Sequence, residues 1–246
     1  MVGWDSGVAL ALAAGACARL TGWLTSGGAV AAVLVGGLVL VGAGWLGAGA
    51  LLTFFVTSSL MTVLRCRVQG GTRARPRRWE QVLANGGVAG AAAAAMLLGD
   101  ERAWAAMLAS LAAANADTWA TELGRLLGRH PRMATTLRRV PAGTSGAVTL
   151  AGLAASAVGA GLVAAWGPSL LAITTIGWCG SLLDSLLGAT LQARFRCETC
   201  GAVVETSTHC DGVARLAAGV AFLSNDAVNL LATLFAGVAG YLLVAP

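Results

Sequence analysis

Two long stretches of this chain, residues 20–64 and 140–183, contain no charged side chain. Each is long enough for two helices of about 20 residues, the length that crosses a bilayer. Within lipid only helices and closed barrels satisfy every backbone polar group, and the alternating ten-residue segments of a barrel are absent. Composition agrees: 57% of residues are hydrophobic and 11% charged, whereas soluble domains carry about 25% charge. The expected fold is all-α, a polytopic transmembrane bundle of about seven to eight spans, forming a single integral membrane domain over residues 1–246.

The simplest partition places spans at about 6–20, 27–44, 47–64, 82–99, 103–122, 143–165, 168–190 and 218–244. The first is the shortest and would also suit an uncleaved signal-like anchor. Gly42-Ala43-Gly44 and Trp166-Gly167-Pro168 mark tight turns between hairpin partners. Every basic residue is arginine, and the arginines cluster: Arg65, Arg67, Arg73, Arg75, Arg77 and Arg78, then Arg125, Arg129, Arg132, Arg138 and Arg139, then Arg194, Arg196 and Arg215. With eight spans these clusters fall in loops near 65–81, 125–142 and 193–216, all on one side. The positive-inside rule assigns that side to the cytoplasm. Some of these arginines could also bind anionic lipid or nucleotide phosphate.

Four acids lie inside otherwise apolar segments: Asp117, Glu122, Asp184 and Asp226. A charged side chain at the bilayer centre costs about 3 kcal/mol even on lenient scales, so it persists only if it is paired, metal-bound or faces water. Asn85, Asn115, Thr118, Thr144, Ser145, Ser185, Gln192, Asn225 and Asn229 fall in the same cytoplasmic half. Five helices delivering polar groups to one level describe a cavity open to the cytoplasm.

Three segments carry the chemistry. In Asn115-Ala-Asp117-Thr118-Trp-Ala-Thr121-Glu122, helical spacing puts Asn115, Thr118 and Glu122 on one face and Asp117 and Thr121 on another. Such oxygen donors suit Mg²⁺, although an interhelical hydrogen-bond cluster uses the same residues. Pro141-Ala-Gly143-Thr144-Ser145-Gly146 could cradle a phosphate at a helix N-terminus, or simply cap that helix; it is not a Walker A loop. Leu183-Asp184-Ser185-Leu-Leu-Gly188-Ala-Thr-Leu-Gln192 faintly echoes the Asp117 segment.

Cys197-Glu-Thr-Cys200 followed by His209-Cys210 has the ligand types of a structural Zn²⁺ site, and a cytoplasmic loop disfavours disulfides. Free thiols remain the alternative, and the adjacent His-Cys pair is an awkward fit to one tetrahedral ion. Cys17, Cys66 and Cys179 read as packing residues, and His130 as a loop residue.

With Arg77-Arg-Trp-Glu-Gln81-Val-Leu-Ala-Asn85-Gly-Gly87 before them and Asn225-Asp226-Ala-Val-Asn229 after them, these motifs resemble the integral membrane family that contains the plant phytyl-phosphate kinases of tocopherol synthesis and transmembrane protein 19. The resemblance spans nearly the whole chain from about residue 20. It implies transfer of a phosphoryl group from a nucleoside triphosphate, CTP in the family, to an isoprenyl monophosphate. Asp117, Glu122 and Asp184 would then be the catalytic, Mg²⁺-holding acids. Asn85, Asn115, Thr118, Gly143, Thr144, Ser145, Ser185, Gln192, Asn225, Asp226 and Asn229 would bind nucleotide and substrate. Asp117-Thr118 with Gly124 is also similar to the motif of CTP-dependent polyprenol kinases, whose lysine-rich stretch this chain lacks; loop arginines would substitute. Expected partners are a prenyl phosphate, a nucleoside triphosphate and membrane lipids, with no nucleic acid. A secondary transporter with an acidic cation or proton site and a non-catalytic lipid-binding factor are the rival readings.

Overall fold

The computed structural model describes residues 4–70 and 74–244; Arg73 lies outside them. The helices are α1 (Trp4–Leu20), α2 (Ser26–Val68), α3 (Trp79–Leu97), α4 (Ala103–Leu127), α5 (Leu150–Ala164), α6 (Leu170–Thr190) and α7 (Asn225–Leu243). Two small sheets join them. One pairs β1 (Arg132–Met133) with β2 (Ala147–Val148). The other has the order β4-β3-β6-β5 and comprises β3 (Arg194–Cys197), β4 (Val203–Val204), β5 (Thr208–His209) and β6 (Gly212–Ala218).

The α2 segment is two helices in sequence. Gly44 breaks it with φ 64° and ψ −157°, and the halves fold back on each other, since a Cβ placed on Gly36 would lie 3.9 Å from Leu51 Cδ2. This is the reversal expected at residues 42–44; glycine is suited to it because positive φ costs it no steric penalty. Thr25 caps the entry by accepting from the Gly28 N–H at 3.0 Å.

Helix α4 is the hub and packs against α2, α3, α5, α6 and α7. Its first half is rich in alanine, and Ala105 to Ala116 are buried without a break. Small residues let backbones approach where lipid gives no hydrophobic drive between helices. Gly177 on α6 lies so close to Ala112 that a Cβ there would come within 2.7 Å of the alanine Cβ, and Gly240 on α7 meets the Ala105 carbonyl in the same way. Threonine hydroxyls add cross-ties: Thr233 Oγ1 donates to Ala84 O at 2.9 Å, and Trp166 Nε1 donates to Thr53 Oγ1 at 2.9 Å.

Among the described residues, α2, α6 and α7 are long and apolar enough to cross a membrane, and α5 is apolar but shorter. The protein is a helical membrane protein. The all-α expectation is corrected by the two sheets. Residues 143–149, predicted to begin a span, form a turn and β2 instead, because Gly143 and Gly146 adopt φ 87° and 75° and Thr149 caps α5 by accepting from Gly152 N. Residues 218–224, predicted to begin the last span, finish β6 and a loop turned at Gly219 (φ 79°). Asn225 to Asn229 therefore lie on the opening turns of α7, behind a Ser224 N-cap, and not deep within a helix.

Candidate functional site

The polar end of the bundle encloses a cavity of about 750 Å³. Helix α4 contributes Asp117, Thr118, Thr121, Glu122 and Arg125; α3 contributes Gln81 and Asn85; α6 contributes Ser181, Asp184 and Ser185. Gly143 to Ser145 come from the loop before α5, Gln192 from the end of α6, and Asn225 and Asn229 from α7. Two close approaches place that loop. Gly124 on α4 lies against Gly152 and Thr149 of α5, where a Cβ would sit 3.5 Å from Gly152 Cα. Gly146 presses on the α6 backbone, where a Cβ would fall 2.3 Å from Ala189 N.

At the centre, Asp117 of α4 and Asp184 of α6 line the same cavity. Two ionised carboxylates in one confined space repel, and a cation between them would relieve that repulsion. With the Asn229 amide oriented to satisfy its neighbours, its nitrogen donates to Asp184 Oδ2 at 2.8 Å and to Asn225 O at 3.3 Å. Thr118, Asn85 and Ser185 add neutral oxygens around the same space. This is a hard-oxygen donor set of the kind Mg²⁺ takes.

Three sequence assignments change. Glu122, expected as a metal ligand, has both oxygens engaged: Oε1 accepts from Thr62 Oγ1 at 2.8 Å and Oε2 is ion-paired with Arg65. Asn115, expected to bind substrate, is fully buried away from the cavity. It donates to Gly159 O at 2.8 Å and accepts from Thr57 Oγ1 at 3.1 Å, tying α4 to α5 and α2. Asp226 does not line the cavity; it pairs with Arg78 Nη2 at 3.1 Å, joining α7 to the segment before α3.

Several cavity residues were not among the assigned site residues. Arg75, Arg77, Arg78 and Arg125 line the cavity, so their clustering carries more than orientation. Arg77 Nη2 donates to Ser58 Oγ at 2.9 Å, and its guanidinium lies 5.7 Å from the ring centres of Phe54 and Phe55. Burial pulls its pKa down to about 10 while Glu122 opposes the fall, so it keeps its charge at neutral pH. Glu205 and Thr206, between β4 and β5, also reach the wall. Glu205 accepts a hydrogen bond from Ser145 Oγ, which in turn accepts from Gln192 Nε2 at 3.2 Å. No local signal in the sequence marks Glu205, since only the strand pairing brings it there.

The last loop also gathers Cys197, Cys200, His209 and Cys210, whose ligand atoms lie within 4.8 Å of one another.

Residues 9–237 match the family described as integral membrane protein DUF92. The chain is 34% identical to Protein PGR of Arabidopsis thaliana, over 75% of this chain and 76% of the plant protein. It is 29% identical to an uncharacterised membrane protein of Methanocaldococcus jannaschii, over 89% and 85% of the two chains. A third relative, an uncharacterised membrane protein of Synechocystis, is 32% identical over 76% and 78%. No solved structure matches. A family match over residues 9–237, with relatives aligned over three quarters or more of both chains, makes this protein a member of the DUF92 family of integral membrane proteins.

Proposed function

We propose that the protein is a prenyl-phosphate kinase, transferring a phosphoryl group from a nucleoside triphosphate, CTP by resemblance, to an isoprenyl monophosphate such as phytyl phosphate. The observation that supports this most is the facing pair Asp117 and Asp184 in one cavity with Arg75, Arg77, Arg78, Arg125 and the Gly143–Ser145 loop. Carboxylates opposite a crowd of arginines suit a polyanion that arrives with a divalent cation. About 750 Å³ lies within the usual range for small-ligand sites.

In this reading, Asp117 and Asp184 would hold Mg²⁺, which would supply positive charge to offset that of the donor phosphates. The arginines and the N–H groups of the Gly143–Ser145 turn bind the remaining phosphate oxygens. Asn85, Thr118 and Ser185 fix the orientation of donor and acceptor. The acceptor is already an anion at neutral pH, so no strong general base is needed. Glu122 holds Arg65 rather than the ion. The isoprenyl tail lies between Gly- and Ala-rich helix faces, which explains why a soluble phosphoryl chemistry is carried out in a membrane.

The topology that fits this reading has eight spans, counting the halves of α2 separately, with the loops near 65–81, 125–142 and 193–216 in the cytoplasm, where the nucleotide is. The rival transporter reading expects charges at broken helices near the midplane; here they gather where α4 and α6 end and α7 begins. Detergent-purified protein given γ-labelled CTP, Mg²⁺ and phytyl or geranylgeranyl phosphate should yield labelled prenyl diphosphate. Absence of transfer with every nucleoside triphosphate and both acceptors, from protein that is folded and monodisperse, would overturn the reading.

A further inference from the structure

The residues that phosphoryl transfer leaves unused are those of the four-stranded sheet. We propose that Cys197, Cys200, His209 and Cys210 bind one structural Zn²⁺, and that the ion holds the sheet so that Glu205 and Thr206 form one wall of the cavity.

The spacing fits a tetrahedral site. All four ligand atoms fall within 4.8 Å of one another. His209 Nδ1 is 3.5 Å from Cys200 Sγ and 3.2 Å from Cys210 Sγ. Ligands at the usual zinc distances, about 2.3 Å for sulfur and 2.0 Å for nitrogen, stand roughly 3.5 Å apart along such an edge. Three thiols and one imidazole are soft and borderline donors that select zinc over the hard cations of the main cavity.

The backbone is shaped for the same purpose at both ends. After Cys197 the chain turns through Gly201 at φ 72°. Gly201 N donates to Cys197 O at 3.0 Å and Cys197 N to Ala202 O at 2.9 Å. At the other end, β5 reverses into β6 through Cys210 and Asp211, with His209 paired to Gly212. Both loop residues have positive φ, 50° and 57°. That is the geometry of a two-residue hairpin turn that normally demands Asn-Gly or Asp-Gly. A cysteine there holds a strained backbone, and the turn brings Cys210 Sγ to within 3.2 Å of His209 Nδ1. The awkwardness of adjacent His and Cys ligands is resolved by this turn.

The sheet also needs a staple. Its strands are two to seven residues long, and Cys197 and Ala214 are the only buried side chains among them. A sheet this small buries too little apolar surface to order itself, and a structural zinc contributes folding free energy directly. What it would order is Glu205, bonded to Ser145 of the loop that lines the cavity.

The test does not use turnover, so it stands or falls separately from the kinase reading. Full-length protein purified in detergent without chelator should contain about one zinc per chain. Protein produced with cobalt should show the visible absorption of tetrahedral thiolate-bound Co²⁺. Cys197→Ser/Cys200→Ser should lose the metal. Should that variant not fold, the wild type decides: three thiols should stay unreactive towards a disulfide reagent until a strong chelator is added, with zinc released in step. Zinc far below one per chain after growth with added zinc, or an intact mass two hydrogens lower that shows a disulfide among these cysteines, would overturn the proposal.

Discussion

Asn229, on the opening turns of α7, donates to Asp184 Oδ2 on α6 at 2.8 Å, so the carboxylate facing Asp117 is itself held by a neighbouring helix. The amide fixes the orientation of that carboxylate towards the cavity.

The two aspartates should therefore be separately indispensable. Asp117→Asn and Asp184→Asn each keep the side-chain volume and remove the charge. Each is expected to lower prenyl-phosphate phosphorylation at least about a hundredfold, with the melting temperature in detergent unchanged or raised, since a repelling pair has lost one charge. Turnover near wild type in either variant would take that residue out of the mechanism.

Glu122 should behave differently. Glu122→Gln leaves Arg65 partly buried without its partner, and a loss of about 1–3 kcal/mol in stability is expected, discounted from the fully buried case because Arg65 is partly exposed. Arg65→Met/Glu122→Leu should recover most of that loss. A metal-ligand role would give the opposite pattern, with activity abolished in Glu122→Gln and the melting temperature untouched.

Gly143 and Gly146 share positive φ but not their surroundings. An added Cβ meets nothing at Gly143, whereas at Gly146 it would fall 2.3 Å from the Ala189 nitrogen. Gly143→Ala should cost about 1–2 kcal/mol of local strain and leave the loop in place. Gly146→Ala must push the loop off α6, and KM for the nucleotide should rise at least about tenfold. Steady-state kinetics on the two variants make the comparison, and equal effects would argue against the loop's placement.

Orientation has its own check. Single cysteines placed in the 65–81, 125–142 and 193–216 loops of a cysteine-free variant should resist a membrane-impermeant thiol reagent in intact cells and react once the membrane is permeabilised. Labelling of any of the three in intact cells would put the cavity out of reach of cytoplasmic nucleotide.

Much of this arrangement is legible in the sequence, for physical reasons that differ by residue. The charge-free runs and the glycines at 42–44 announce the α2 hairpin, because hydrocarbon leaves a chain few options. Asp117, Asp184, Asn85 and the Gly143–Ser145 segment are conspicuous because polar groups in an apolar segment need partners. Apolar character alone does not separate Ala147-Val148 or Leu216 to Leu223 from helix, so the spans predicted at 143 and 218 begin too early. Asn115 misleads because a buried amide bonded to Gly159 O and Thr57 has the same spelling as one that binds a ligand. Glu205 is silent because its approach to Ser145 is set by strand pairing between distant residues.

The hub position of α4 also orders events in time. Asp117 is synthesised before the loop, the α6 carboxylate, the sheet and the Asn229 amide that surround it. Until α7 docks on α4, the nascent bundle carries acidic groups without their final neighbours. Completion of the cavity therefore waits for the synthesis of α7, and a truncated product ending before α7 should be recognised and degraded by membrane quality control.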